Sequence, residues 1–330
     1  MGILRLVLLL AAAVCALPTV TAALPGDSPS APTAGKRIGI FYYPWFATPQ
    51  RDGHYAHWQQ GGLAPPANLA SSFYPARGAY SSADVLVVDA QMREIRAAGV
   101  GTVITSWWGR GSPEDLRLPL LLAAADRHGL AVAAHVEPYA GRTVSSTGED
   151  VAYLQSLGVQ DFYVWASTAL PDAEWAELNA RLEGVRTFAN TNLAGRAAAG
   201  GFDGLYTYDV LLFDARLFSR LCRQARRLGL LCAPSVGPGY DARRATPDRR
   251  VRKRRNGATY DAMWRAAIGA RADLITITSY NEWHEGTQIE PARAARRGYQ
   301  GYDGAWGLRG AAAETAYLDR TAFWVRRLSR

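Results

Sequence analysis

Cysteine, methionine and lysine are all scarce in this 330-residue chain, which has three Cys and three Met and uses Arg almost to the exclusion of Lys. Three cysteines cannot build a disulfide-dense scaffold. No Cys/His spacing suggests a metal site either, because His54, His57, His128, His135 and His284 lie scattered, and no metal or cofactor is expected. Long apolar runs are absent beyond the N-terminus, which excludes a polytopic membrane protein. A composition of 48% hydrophobic and 20% charged residues is ordinary for a globular chain and excludes disorder or a fibrous repeat throughout. Two things are plentiful. Lys and Arg number 37 against 29 acidic residues, a net charge of +8 that brings nucleic acid and anionic surfaces into consideration. Aromatics make up 11%, with ten Trp and sixteen Tyr, and exposed rings pack well on the apolar C–H faces of sugars.

The N-terminus reads as an export signal over residues 1–23. Arg5 supplies a basic start, 6–17 is an almost unbroken apolar run, and small residues follow Pro18. The run is short for a membrane anchor, so no stable membrane insertion is expected after its removal. Residues 24–36, rich in Pro, Ser and Gly, read as a tether, and 37–330 as one catalytic domain in a secreted or extracytoplasmic protein. Cleavage would leave Cys222 and Cys232, either joined in a disulfide or buried as free thiols on neighbouring elements.

From residue 37 short apolar runs alternate with helical patterns. Strands are expected at 37–43, 101–107, 131–137, 161–166, 186–190, 204–208, 230–235 and 274–279, and helices at 84–98, 114–128, 172–182, 213–228 and 259–270. Gly99, Gly129 and Gly229 read as helix stops. Eight such alternations predict an α/β fold, a single (β/α)8 TIM-type barrel. A doubly wound sheet would want a Gly-rich phosphate turn after the first strand, which runs instead into Tyr42-Tyr43-Pro44-Trp45.

Barrel active sites lie where the strands end, so those ends are read together. They carry Tyr43 and Trp45, Trp107 and Trp108, His135 and Glu137, Tyr163 and Trp165, Tyr206 and Tyr208, Tyr240, and finally Asn281-Glu282-Trp283-His284-Glu285. One ring alone would be core packing; this many at one rim describe a cleft lined with rings and carboxylates. Glu282 and Glu285 are the expected catalytic pair, one to protonate a departing glycosidic oxygen and the other to act as base or nucleophile. Glu137 is a third candidate, and His135 is expected in a supporting role.

The motifs GIFYYPWF (39–46), YSSADVLVVDAQMREIRAAGVGTVITSWWG (80–109), AHVEPYAGRT (134–143), GGFDGLYTY (200–208), PSVGPGYD (234–241) and ITSYNEWHEGTQIEPA (277–292) resemble those of glycoside hydrolase family 99, the endo-α-1,2-mannosidases. The resemblance runs in order through most of the 37–330 domain. It implies a retaining enzyme in which the substrate's own 2-hydroxyl attacks C1 to form a 1,2-anhydro sugar. Carried onto this chain, Glu282 would be the base for that hydroxyl and Glu285 the acid and then base, with its pKa raised by burial or by the Glu282 charge. By the same resemblance Tyr43, Glu137, Tyr206, Tyr208 and Asn281 would hold sugar hydroxyls, and Trp108 would stack on the −2 sugar. Tyr163 and Trp283 complete the expected lining, and Glu290 is expected to close the loop. Trp108 stands where animal members usually have Tyr, so the likeness is to the bacterial branch, which favours mannose at −2. The implied substrate is α-mannan or a high-mannose glycan.

After the GPGYD block the family's Trp-Asn stretch is missing. Eight basic residues crowd 243–255 instead, and Arg254 or Arg255 is expected to contact substrate. The stretch could touch an anionic polymer weakly. Its arginines are not interleaved with aromatics, so no specific nucleic acid is expected. Two other functions compete: a carbohydrate-binding barrel without turnover, and a hydrolase of another α-linked polysaccharide on the same scaffold.

Overall fold

The computed structural model describes residues 34–328. The expected export signal, and the tether as far as residue 33, lie outside the described residues; the end of the tether enters a 3-10 turn, Ala34–Arg37. Every expected strand is present, with its ends shifted by at most two residues. They are β1 (Ile38–Tyr42), β2 (Thr102–Trp107), β3 (Ala131–Val136), β4 (Asp161–Val164), β5 (Arg186–Asn190), β6 (Gly204–Thr207), β7 (Leu231–Val236) and, after a small hairpin of β8 (Tyr240–Asp241) and β9 (Val251–Arg252), β10 (Ile275–Ile277). The long strands pair in parallel in the order β1-β10-β7-β6-β5-β4-β3-β2 and close, which makes the fold a (β/α)8 barrel.

Outside the barrel run α1 (Pro49–Asp52), α2 (Val85–Ala97), α3 (Pro113–Arg127), α4 (Val144–Ser156), α5 (Asp172–Asn179), α6 (Ala194–Ala199), α7 (Ala215–Arg227), α8 (Ala258–Gly269), α9 (Ala311–Glu314) and α10 (Ala316–Leu328). The longer ones begin where the sequence supplies a cap. Asp84 accepts from the Leu86 and Val87 N–H groups, Ser112 from Asp115, and Thr143 and Ser146 form a reciprocal capping box. Gly99, Gly129 and Gly229 stop α2, α3 and α7 at positive φ, as expected. Among the described residues no helix is long and apolar enough to cross a membrane.

Side-chain alternation divides the core in two. Ile38, Ile40 and Tyr42 of β1 point outward into the layer shared with the helices, whereas Phe41 and Tyr43 point inward. The inner cluster is unusually aromatic, with Phe41, Tyr43, Tyr163, Phe188, Tyr206 and Tyr208 filling the barrel. Cys222 of α7 and Cys232 of β7 are joined in a disulfide that ties this helix to the strand it covers. Asp261 on α8 gathers the C-terminal segment: its carboxylate accepts from Arg320 Nε and Nη2, both at 2.6 Å, from the Trp324 indole at 2.8 Å and from the Trp306 indole at 3.1 Å. Replacing Asp261 with Ala leaves a guanidinium and two indole N–H groups without their acceptor. The expected loss is about 2–3 kcal/mol, below the range for fully buried pairs because Arg320 is partly exposed. Urea unfolding checks it; an unchanged midpoint would mean that these bonds do not anchor α10.

Candidate active site

Two-residue steps along each strand decide which side chains reach the C-terminal rim. The step from Phe41 leads to Tyr43, from Ile104 to Ser106 and Trp108, from Ala133 to His135 and Glu137, from Tyr163 to Trp165, and from Tyr206 to Tyr208. Height along the strand corrects one expectation. Tyr163 stacks on Phe188 (4.7 Å between centroids) and lines the opposite mouth of the barrel with Gly39, Thr102 and Arg186; Trp165 is the residue of its strand at the rim.

Glu282 and Glu285 sit on the 278–290 loop, which is tied tightly to the barrel. The Tyr280 N–H donates to the Phe41 carbonyl at 2.8 Å. One residue on, the Asn281 side chain imitates a peptide: Oδ1 accepts from the Tyr43 N–H at 2.7 Å and Nδ2 donates to the Tyr43 carbonyl at 3.0 Å. The Glu282 N–H donates to Ser279 Oγ, and Glu282 Oε1 accepts from the His284 N–H, both at 2.9 Å. Behind the loop, Glu290 is fully buried and accepts from Tyr80, Gln91, Arg77 and the Trp283 indole. Gly286 turns the chain at φ 63°, and a Cβ there would stand 2.9 Å from the Asp241 carbonyl. The glycine thus lets β8 lie close enough for the Asp241 N–H to donate to the Glu285 carbonyl at 2.8 Å.

Three more expected binding residues prove to be supports. Asn281 is fully buried with its amide committed to Tyr43 and Tyr80. Trp283 is fully buried in the outer core, its N–H directed to Glu290 and Tyr80. Arg254 donates from Nη2 to the carbonyls of Gly286 and Gln288, with its guanidinium among the rings of Phe73, Tyr302 and Tyr317. It braces the catalytic loop from behind.

The other expected residues come together in two hydrogen-bonded files. In one, Tyr43 donates to Tyr208 at 2.6 Å and Tyr208 to Glu285 Oε2 at 3.3 Å. In the other, the Trp108 indole donates to Ser106 Oγ (3.1 Å), which donates to Glu137 Oε1 (2.9 Å). His135 stands beside Glu137, with Nδ1 2.9 Å from the carboxylate and Nε2 2.8 Å from the Tyr206 hydroxyl. Tyr206 is thereby fully buried one layer below the cleft. Trp108 remains 37% exposed with its N–H bonded to Ser106, which leaves part of the ring available to a ligand.

Burial dominates the electrostatics. It pushes Glu285 up to about 7, with the Asp209 charge adding to it and the Tyr208 hydrogen bond pulling back. Burial and then the Glu285 charge hold Glu282 well above the usual carboxylate range, while backbone N–H bonds from His284 and Glu285 favour its ionised form. The Glu285 charge thus acts directly on Glu282, and the two carboxyls titrate as a linked pair. Asp209, which directly follows Tyr208, was not among the expected residues. Its Oδ1 accepts from the Leu211 and Leu212 N–H groups, which fixes it near Glu285. A stack of Trp45 on His57 (4.4 Å, 2° between planes), with His284 5.9 Å from His57, also went unanticipated. Burial pushes both histidines down to about 4, so they are neutral. Among the described residues no group of three or more His, Cys, Asp or Glu side chains could hold a metal ion. Aromatic rings and two carboxyls gathered at one rim, with a proton available from Glu285 near neutral pH, are equipped for acid–base cleavage of a glycosidic bond.

Known proteins resemble this chain in sequence and in fold. The model of glycosyl hydrolase family 99 matches residues 34–330. A glycoprotein endo-alpha-1,2-mannosidase-like protein of Danio rerio is 33% identical over 358 residues, covering 89% of this chain and 78% of that protein. A glycoprotein endo-alpha-1,2-mannosidase of Rattus norvegicus is 29% identical, covering 89% and 75%. The GH99 endo-alpha-mannosidase from Bacteroides thetaiotaomicron superposes with a TM-score of 0.80 at 30% identity, over 88% of this chain and 97% of that one.

The electrostatics make a direct prediction. Asp209→Asn keeps the loop's acceptor and removes a charge that raises Glu285, so the Glu285 titration midpoint moves down; Tyr208→Phe removes a bond that lowers it, so the midpoint moves up. Carboxyl NMR titration reads both, and shifts of the opposite sign would refute the assignment of these neighbours.

Proposed function

The chain belongs to glycosyl hydrolase family 99, and from that premise we propose that it is a secreted, retaining endo-α-1,2-mannosidase that cuts internal α-1,2 linkages in mannan or high-mannose glycans. The observation that carries the reading is the pair Glu282 and Glu285 just beyond the last strand, with Glu285 raised to about 7 and so able to carry a proton near neutral pH. Glu282 accepts the proton of the substrate's 2-hydroxyl while O2 attacks C1. The bond from C1 to the leaving oxygen breaks as Glu285 delivers its proton there. The two oxygens of an α-mannoside stand trans-diaxial, so the attack is in line and proximity takes the place of an enzyme nucleophile. Water then adds to C1 of the 1,2-anhydro sugar, Glu285 takes the water's proton, and the proton held by Glu282 returns to O2. Two inversions give net retention.

The surroundings support this division of labour. Burial, then the Asp209 and Glu137 charges, favour a proton on Glu285; burial, the Glu285 charge and the Glu137 charge raise Glu282 too, while two backbone N–H groups pull it back toward the ionised form. Tyr43 and Tyr208 lie in line behind Glu285 and can orient its proton. The exposed Trp108 ring suits the apolar face of the −2 sugar. Export is supported by the apolar run at 6–17 and by the Cys222–Cys232 disulfide, which suits an oxidising compartment.

Incubation with α-1,2-branched mannan, followed by product size and NMR of the new anomeric centre, tests the reading. Oligosaccharides released first as the α-anomer are expected; single mannose residues or the β-anomer would overturn it. Glu285→Gln should lower turnover of unactivated mannan by roughly 10²–10⁴-fold. In the wild type the rate should fall as pH rises through about 7, where Glu285 loses its proton. Trp108→Ala should weaken binding and alter the product pattern with little change in the pH profile.

A further inference from the structure

The proposed reaction leaves the basic stretch 243–255 without a task. It does not form a featureless loop. Residues 240–241 and 251–252 pair antiparallel as β8 and β9, and two clefts flank this hairpin, of about 490 and 410 Å³. They share Arg243 and Gln300, and so form one groove. Its cations are Arg243, Arg252, Lys253, Arg254 and Arg255 on one side, with Arg244 and Arg249 on the other. The acidic lining residues are Asp241 and Asp303, each already facing an arginine, Arg243 at 2.8 Å and Arg309 at 3.8 Å. Positive charge is left over. Among the described residues, the exposed side chains of Arg249, Lys253 and Arg255 carry no ion pair.

Several of these cations are fixed in place. The Arg244 guanidinium lies 4.5 Å from the centre of the Tyr299 ring, and Arg254 is caged by three rings. Arg255 and the following Asn256 both adopt left-handed backbone, at φ 50°, which bulky residues adopt only where the surroundings demand it. The groove also adjoins the catalytic loop. Gly286, next in sequence to Glu285, lines it, and so does Tyr240, whose phenol is raised by burial and then by the Glu285 charge. Glu285 therefore stands close to the groove, which lies behind the catalytic loop where Arg254 holds the Gly286 and Gln288 carbonyls.

We infer that this groove binds anionic substituents, phosphate esters, carried by the glycan outside the residues being cut, so that the substrate class is a phosphorylated α-mannan. The inference rests on the proposed activity. Phosphate fits better than a single carboxylate because its terminal oxygens can be shared among several guanidinium groups at once. Single-stranded nucleic acid is disfavoured, since the exposed side chains of 243–255 include no aromatic on which bases could stack.

The test compares hydrolysis of a phosphorylated mannan with that of the same mannan after phosphate removal. Wild type should show a KM several-fold lower on the phosphorylated polymer with similar kcat, and the preference should fade as salt screens it. The triple variant Arg249→Ser, Lys253→Ser, Arg255→Asn, in which Asn suits the left-handed position, should lose most of that preference and cleave the neutral polymer as before. Equal KM values for the two polymers in wild type, or an unchanged preference in the variant, would overturn the inference. A carboxylated mannan of matched charge that binds as well as the phosphorylated one would overturn the phosphate assignment, and binding to anionic phospholipid vesicles without a preference for phosphorylated mannan would overturn the glycan assignment. Should the triple variant not fold, the salt dependence of wild type and the single variant Lys253→Ser carry the same comparison. Should neither mannan be cleaved, the proposed activity fails by itself; calorimetric binding of both polymers to Glu285→Gln still decides the groove, and equal affinity overturns it.

Discussion

Two hydrogen bonds between the Asn281 side chain and the backbone of Tyr43 govern the geometry of the cleft. The ladder between β1 and β10 ends at Ile277, three residues before Tyr280 meets the Phe41 carbonyl. An amide side chain then continues the pattern where the backbone has turned away. By binding both the N–H and the carbonyl of Tyr43, it locks the residue that opens the tyrosine file to the residue preceding Glu282. The first and last strands of the barrel are thereby joined above their sheet, and the catalytic carboxyls are held relative to Tyr43 and Tyr208. Because Asn281 is sealed from water, each of its bonds counts for more than it would at the surface, and an amide left unpaired there would be costly.

The same dryness accounts for the chemistry. Carboxyls in water would both be ionised at neutral pH, and neither could donate a proton. Placing them among Tyr43, Tyr208 and the neutral imidazoles of His57 and His284 removes the hydration that favours charge. Acidic neighbours add to this: Asp209 and Glu137 raise Glu285, and Glu137 raises Glu282 as well. Among the described residues no cation pairs with the two glutamates; Arg77 serves Glu290 and Arg254 serves backbone carbonyls, each outside the cleft. Any cation placed against Glu285 would favour its ionised form and remove the proton the reaction needs.

Much of this was legible in the sequence, for reasons that can be named. The eight strands were visible because each is a short apolar run bounded by a helix with a recognisable cap or glycine stop, as at Asp84 and Gly99. The carboxyl pair was visible because both residues follow the last strand directly. Position at a strand end, however, does not reveal which way a side chain points. Tyr163 and Trp165 lie two residues apart and share a face, and only the height of the strand within the barrel separates an interior ring from one at the rim. Trp283 and Asn281 flank the catalytic residues in sequence yet turn outward and downward, because the loop reverses within a few residues. Arg254 could not be assigned from a run of like residues, since its cage is built from Phe73, Tyr302 and Tyr317, which come from distant parts of the chain. The disulfide was one of two readings until α7 was seen to place Cys222 against β7.

His284 and Glu285 are neighbours in the chain, and burial drives their affinities for protons in opposite directions. The imidazole, ordinarily half-protonated near 6.5, is held neutral down to about 4, as is His57 stacked beyond it. An unfolded chain takes up those protons as pH falls below about 6.5, so the stability gained by burying the rings is complete above that value and erodes toward 4. The carboxyl next door sets the other boundary, near 7, by losing the proton that chemistry requires. One dipeptide thus brackets the range of acidity in which the molecule is both intact and competent: the imidazole guards the fold on the acid side and the carboxyl limits the reaction on the alkaline side.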